Sequence, residues 1–246
     1  MNVELPRRLG AEFLGTAFLL AIVVGSGVMG QRLAGGQLGL ALMANAVATG
    51  CGLALLIWCL GPLSGAHFNP AVTLVFWLRR DIAALPALLY VLMQAIGAIV
   101  GVAVAHAMFD LPLVQIAVHR RTGAGQWIGE TVATFGLVFF ILMALRRRPQ
   151  AIGAIVGLYI TAAYWFTSST SFANPAVTLA RAFSATFAGI APADVPAFVL
   201  AQLASAAFGY IVAGWLWPQA PGLPAKGLAR PARIRLHADA GTGECQ

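Results

Sequence analysis

The sequence predicts an all-α membrane protein: six spanning helices plus two short re-entrant helices, arranged as two inverted halves of three spans each. Three observations carry this. The chain has 246 residues, of which 60% are hydrophobic and only 9% charged, the balance of a polytopic membrane protein. Apolar windows long enough for a hydrocarbon core of about 30 Å recur six times. The hexapeptide NPAVTL occurs twice, at 69–74 and 174–179.

The first window, 9–29, follows Arg7-Arg8 and imitates a signal peptide. It lacks a clear small-x-small cleavage site and is long enough to span, so it is read as the first helix. The others cover 38–60, 84–105, 127–145, 151–167 and 196–217. Their Leu/Ala/Gly/Val mix, without strict alternation, argues for helices and against an outer-membrane barrel. After Trp217 the chain turns rich in Pro, Gly and Arg, which predicts a disordered cytoplasmic tail over 218–246.

The formal net charge of +7 would suggest nucleic acid in a soluble protein. Here the basic residues instead mark topology. If six spans alternate, eleven (Arg7, Arg8, Arg79, Arg80, Arg146, Arg147, Arg148, Lys226, Arg230, Arg233, Arg235) fall on one side. Four (Arg32, Arg120, Arg121, Arg181) fall on the other. By the positive-inside rule both termini are cytoplasmic. Cys51, Cys59 and Cys245 have neither disulfide nor metal spacing.

The repeat is wider than six letters. Glu12 in the first span matches Glu130 in the fourth, and Gln94 in the third matches Gln202 in the sixth. Residues about 8–106 and 126–217 thus form two repeats of three spans. Three is odd, so the second repeat enters from the opposite face and the copies are inverted. The segment from Asn69 is about ten residues, or roughly 15 Å of helix, half the membrane. Asn is a favoured N-cap and Pro at the first helical position loses no hydrogen bond, so Asn69-Pro70-Ala71 and Asn174-Pro175-Ala176 both read as helix starts.

Irregular backbone at that depth is tolerated only where it is buried in protein or lines a water-filled cavity. GPLSGAH and TSSTSFA, before the two copies, read as pore lining. Two helix N-termini meeting nose to nose focus positive dipole ends on one point and disfavour cations there. The two Asn amides place donors at the same point, so a passing water accepts from both.

These features resemble the aquaporin, or major intrinsic protein, family over about residues 8–217, in SGAHFNPAVT, FANPAV and the matched glutamates. The resemblance implies a single channel domain over 1–217, a pore in each protomer of a homotetramer, and Glu12 and Glu130 as buried acceptors for the re-entrant loops. It implies passive passage of water and small uncharged solutes, with no cofactor, no metal and no nucleic-acid partner. Most members carry an Arg directly after the second Asn-Pro-Ala, in a narrow selectivity filter; here that place is Val177. The family spacing puts the other three filter positions at Thr49, Ala162 and Ser171, each within a residue. All four are small or aliphatic, so the expected filter is wide and free of Arg. The glycerol-channel Asp after that Arg is also absent. Such a filter is similar to that of bacterial aquaglyceroporin-like channels associated with arsenical resistance. It implies an inner-membrane location and neutral arsenous acid as a candidate solute beside glycerol-like polyols.

Arg181, four residues beyond Val177, carries two open readings: a cation barrier in the outer vestibule, or a side chain snorkelling or tied to loop carbonyls. His67 carries two as well, a pH-sensitive group at the cytoplasmic mouth or a hydrogen-bonded loop histidine. His106 and His119 say nothing specific. Trp127, Trp165, Trp215 and Trp217 read as interfacial anchors, and Gly97, Gly101 and Gly209 as sites of close helix contact. A coupled secondary transporter is the alternative, since inverted repeats with broken helices describe that class too. Proton coupling would then fall to Glu12 and Glu130. No metal cluster, nucleophile-base set or phosphate loop suggests an enzyme.

Overall fold

The computed structural model describes residues 3–217, and the tail predicted over 218–246 lies outside the described residues. The first half runs α1 (Leu5–Leu33), α2 (Leu38–Ser64), the short α3 (Pro70–Leu78) and α4 (Ala84–Met108). The second half repeats the order with α5 (Ala124–Arg147), α6 (Ile152–Phe166), the short α7 (Pro175–Arg181) and α8 (Val195–Leu216). Five of these helices are long and apolar enough to cross a membrane. The remaining window holds α6, which has 15 residues and is entered through a 3-10 turn at Pro149–Ala151. It stops at Phe166 because the irregular TSSTSFA stretch takes over, with the Thr167 N–H still bonded to the Ala163 carbonyl.

α1 packs on α2 and α4, α5 on α6 and α8, and α2 on α6 across the two halves. α3 and α7 lie between α4 and α8 and each touches both. Close approach of α1 and α4 depends on absent side chains: a Cβ on Gly101 would lie 2.2 Å from the Ala17 carbonyl oxygen, and one on Gly97 2.4 Å from that of Phe13. Gly50 and Gly157 do the same for α2 and α6, a pairing the sequence reading did not single out. Gly209 is less tight, at 3.1 Å from the Phe135 carbonyl.

Relative to a soluble protein the bundle is inverted, with an apolar outer face and polar groups buried beside an apolar core. Phe18, Leu158, Leu200 and Trp215 are exposed, whereas Glu12, Gln94, Glu130 and Gln202 are fully buried. In lipid this inversion is favourable, since the outer face meets hydrocarbon and the buried polar groups find partners inside.

Candidate pore site

Each short helix is started by its asparagine. Asn69 and Asn174 are extended, with φ of −157° and −159°. Oδ1 of Asn69 accepts from the Ala71 N–H at 2.8 Å. Oδ1 of Asn174 accepts from Ala176 at 3.0 Å and Val177 at 3.3 Å. These are N-cap bonds, and proline follows each cap where no hydrogen bond is lost.

The other end of each amide crosses between the halves. Nδ2 of Asn69 donates to the Ala173 carbonyl at 2.7 Å, and Nδ2 of Asn174 donates to the Phe68 carbonyl at 2.8 Å. The two helix starts are therefore adjacent, as the repeat predicted. An amide nitrogen carries two hydrogens. One from each Asn is spent on this bond and one is left over, so the pair offers a passing molecule two donors, not four.

Two buried carboxylates brace the loops from behind. Glu12 accepts Ser64 Oγ (2.6 Å) and the His67 N–H (3.0 Å) on Oε1, and the Phe68 N–H (2.7 Å) and Gln94 Nε2 (2.8 Å) on Oε2. Glu130 accepts the Phe172 N–H (2.8 Å) on Oε1, and the Ala173 N–H (2.9 Å) and Gln202 Nε2 (2.5 Å) on Oε2. The bonded amides stand two and one residues before each Asn in both halves. Gln94 and Gln202 also donate to Thr73 and Thr178 Oγ1, at 3.0 and 2.8 Å, and those hydroxyls return to the Asn carbonyls.

This bracing holds backbone that is otherwise unfavourable. Ala66 and Phe68 before the first Asn, and Thr170, Ser171 and Ala173 before the second, have φ between 48° and 60°. Each such non-glycine residue costs about 1–3 kcal/mol and persists only where its surroundings fix it. The matched carboxylate bonds supply that fixing.

The four predicted filter residues differ in burial. Thr49, Ser171 and Val177 are buried. Ala162 is exposed, on the stripe of α6 shared by Leu158, Trp165 and Phe166. The inward stripe of α6 holds Ile160, Ala163 and Tyr164. The Tyr164 hydroxyl reaches α2 and donates to Thr49 Oγ1 at 3.3 Å. Ala163, one residue from the predicted position and within the stated spacing, is small and fully buried, and the aromatic Tyr164 stands beside it. Ser171 Oγ is buried and without a protein partner among the described residues.

Arg181, at the end of α7, is buried. Its Nε donates to the Ala188 carbonyl, and its guanidinium lies 3.4 Å from the Phe172 ring centre. His67 is buried too, with Nδ1 3.1 Å from Thr73 Oγ1 and its ring against Phe76 at 4.4 Å. That packing supports the loop-histidine reading. The sequence reading gave no site role to Tyr164 or Asp194 and read Arg121 only as a topology marker; the Arg121 N–H meets the Asp194 carboxylate.

Short helices joined tip to tip at mid-bundle, with polar loops fastened from behind, define a pore-forming membrane protein. The chain belongs to the major intrinsic protein family, whose model, described as Major intrinsic protein, matches residues 1–171. It is 55% identical over 218 residues to aquaglyceroporin AqpS of Rhizobium meliloti (strain 1021), covering 87% of this chain and 91% of that one. It is 29% identical over 165 residues to aquaporin NIP3-1 of Oryza sativa subsp. japonica, covering 66% and 52% of the two. The structure of the aquaglyceroporin from Plasmodium falciparum is similar with a TM-score of 0.68 at 20% identity, over 87% of this chain and 95% of that one, a likeness of fold. The chain is an integral membrane protein and a passive channel for water and small uncharged solutes, not an enzyme.

Proposed function

We propose that this channel admits glycerol-sized neutral solutes as well as water, through an outer constriction formed by Thr49, Tyr164, Ser171 and Val177. The observation that carries this is Val177. It stands directly after the second Asn-Pro-Ala, where most members of the family carry an arginine, and an isopropyl group is far smaller than a guanidinium side chain. The small side chains of Thr49, Ser171 and Val177 suit a polyol or a neutral oxyacid such as arsenous acid better than a filter narrowed by arginine would. Similarity to a protein named as an aquaglyceroporin supports the same width. Tyr164 makes the opening narrower than four small residues would, so bulky solutes are excluded.

Glu12 and Glu130 act as loop supports in this reading, because both oxygens of each accept from the loop amides beside the asparagines and neither residue is exposed. Residues 1–217 act as one channel domain. Its exposed apolar faces suit lipid and a homotetramer, and the eleven-to-four cation count favours cytoplasmic termini in a bacterial inner membrane.

Stopped-flow swelling of proteoliposomes in water, glycerol, urea and arsenite gradients tests the proposal. Flux linear in concentration for water, glycerol and arsenite is expected. Water flux alone refutes the solute width, and saturable, ion-driven uptake refutes the passive pore.

A further inference from the structure

The filter lacks its customary cation, yet the outer end of the protein is not short of positive charge. Arg121 belongs to the loop between α4 and α5, and the structure buries it. Its guanidinium lies 4.9 Å from the Phe172 ring centre, the same ring that Arg181 covers. Nε donates to the Gly189 carbonyl at 2.9 Å and Nη1 to the Ser169 carbonyl at 3.3 Å. Nη2 has no acceptor among the described residues, and it is not among the sealed, unpartnered atoms. Phe172 directly follows Ser171, whose hydroxyl is sealed and unpartnered.

We propose that Arg121 is a specificity-determining residue of the channel: it supplies from a loop the fixed positive charge that Val177 does not. The proposal rests on the channel reading and adds cation exclusion to it.

Two facts support a role beyond packing. Among the described residues, neither Arg121 nor Arg181 makes an ion pair; the two pairs present are Arg79 with Asp81 and Arg120 with Asp194. Burying an unpaired charge is costly, and here two such charges share one aromatic ring. Their combined field, acting where little water screens it, opposes entry of any cation.

The loop is also held in place. Asp194 accepts both Nε and Nη2 of Arg120 at 3.0 Å, and on Oδ2 the Arg121 N–H at 2.8 Å. The Ala191 N–H bonds to the His119 carbonyl at 2.8 Å, and the Ala117 N–H to the Ala182 carbonyl at 2.9 Å. Asp194 is therefore a positioning residue. It fixes the backbone from which Arg121 reaches Ser169, and it leaves the Arg121 guanidinium unneutralised.

The test uses the full chain in proteoliposomes, with potassium leak measured at an imposed potential beside glycerol swelling. Arg121→Ala and Arg121→Gln are expected to raise potassium leak about tenfold or more, as removal of a poorly screened charge near the path requires. Arg121→Lys restores exclusion. Asp194→Asn raises leak by a smaller factor with Arg121 still present, and it serves as the second variant if the Arg121 substitutions fail to insert. Parental leak in every one of these variants that conducts glycerol overturns the proposal. Failure of the parent itself to conduct glycerol strikes the solute-width reading instead.

Discussion

The side-chain amide of Asn174 donates to the carbonyl of Phe68, at 2.8 Å, and so ties the second half of the chain to the loop of the first. Asn69 returns the bond to Ala173. The midplane of the channel is a mutual grip, and the residues on either side of each Asn are fixed by it.

Glu130→Gln replaces two acceptor oxygens with one and turns an N–H toward the amides of Phe172 and Ala173. A buried donor left unmet costs about 1–3 kcal/mol. The thermal unfolding midpoint of the detergent-solubilised protein is expected to fall, with solute flux reduced. An unchanged midpoint counts against the bracing role.

Tyr164→Ala removes the ring that spans α6 to Thr49. Glycerol and urea fluxes are expected to rise relative to water flux. A constant ratio would place Tyr164 outside the constriction.

Val177→Arg adds a long side chain after the second Asn-Pro-Ala. Solute flux is expected to drop more than water flux, because a narrower opening discriminates by size. Equal losses contradict the assignment.

Burial lowers the pKa of Arg121 to about 10, partly offset by Glu130 and Tyr164. A base with a depressed pKa loses its charge as pH rises through that value. Asp194 faces the Arg121 backbone, and Arg181 is a second cation on the same ring. Burial and the two arginines lower the pKa of His119, so it stays neutral above pH 7. Potassium leak is therefore expected to stay flat between pH 7 and 8 and to climb as pH rises from 9 toward 10, where both arginines lose charge. Leak that changes across the lower interval contradicts the assignment.

The six spans and both Asn-Pro-Ala starts were legible because polar words repeated in an apolar text are conspicuous, and an odd number of spans per half dictates inversion. Glu12 and Glu130 were legible by the same repetition. Tyr164 was not. Counting back from Asn174 presumes a fixed path for the loop, but residues 167–173 include three with left-handed backbone, and the phase of α6 decides which residue faces inward. Arg121 was hidden for a different reason. Its position depends on Asp194, 73 residues away, and a contact of that range leaves no local pattern in the letters.

The paired glutamates, glutamines and threonines leave the waist of the conduit without slack, since each loop amide beside an asparagine is fastened to a helix behind it. A duct so stiff at its middle cannot be throttled there. Any variation in flow is therefore expected at its rims, where the loop carrying Arg121 is held through one aspartate and a few carbonyls.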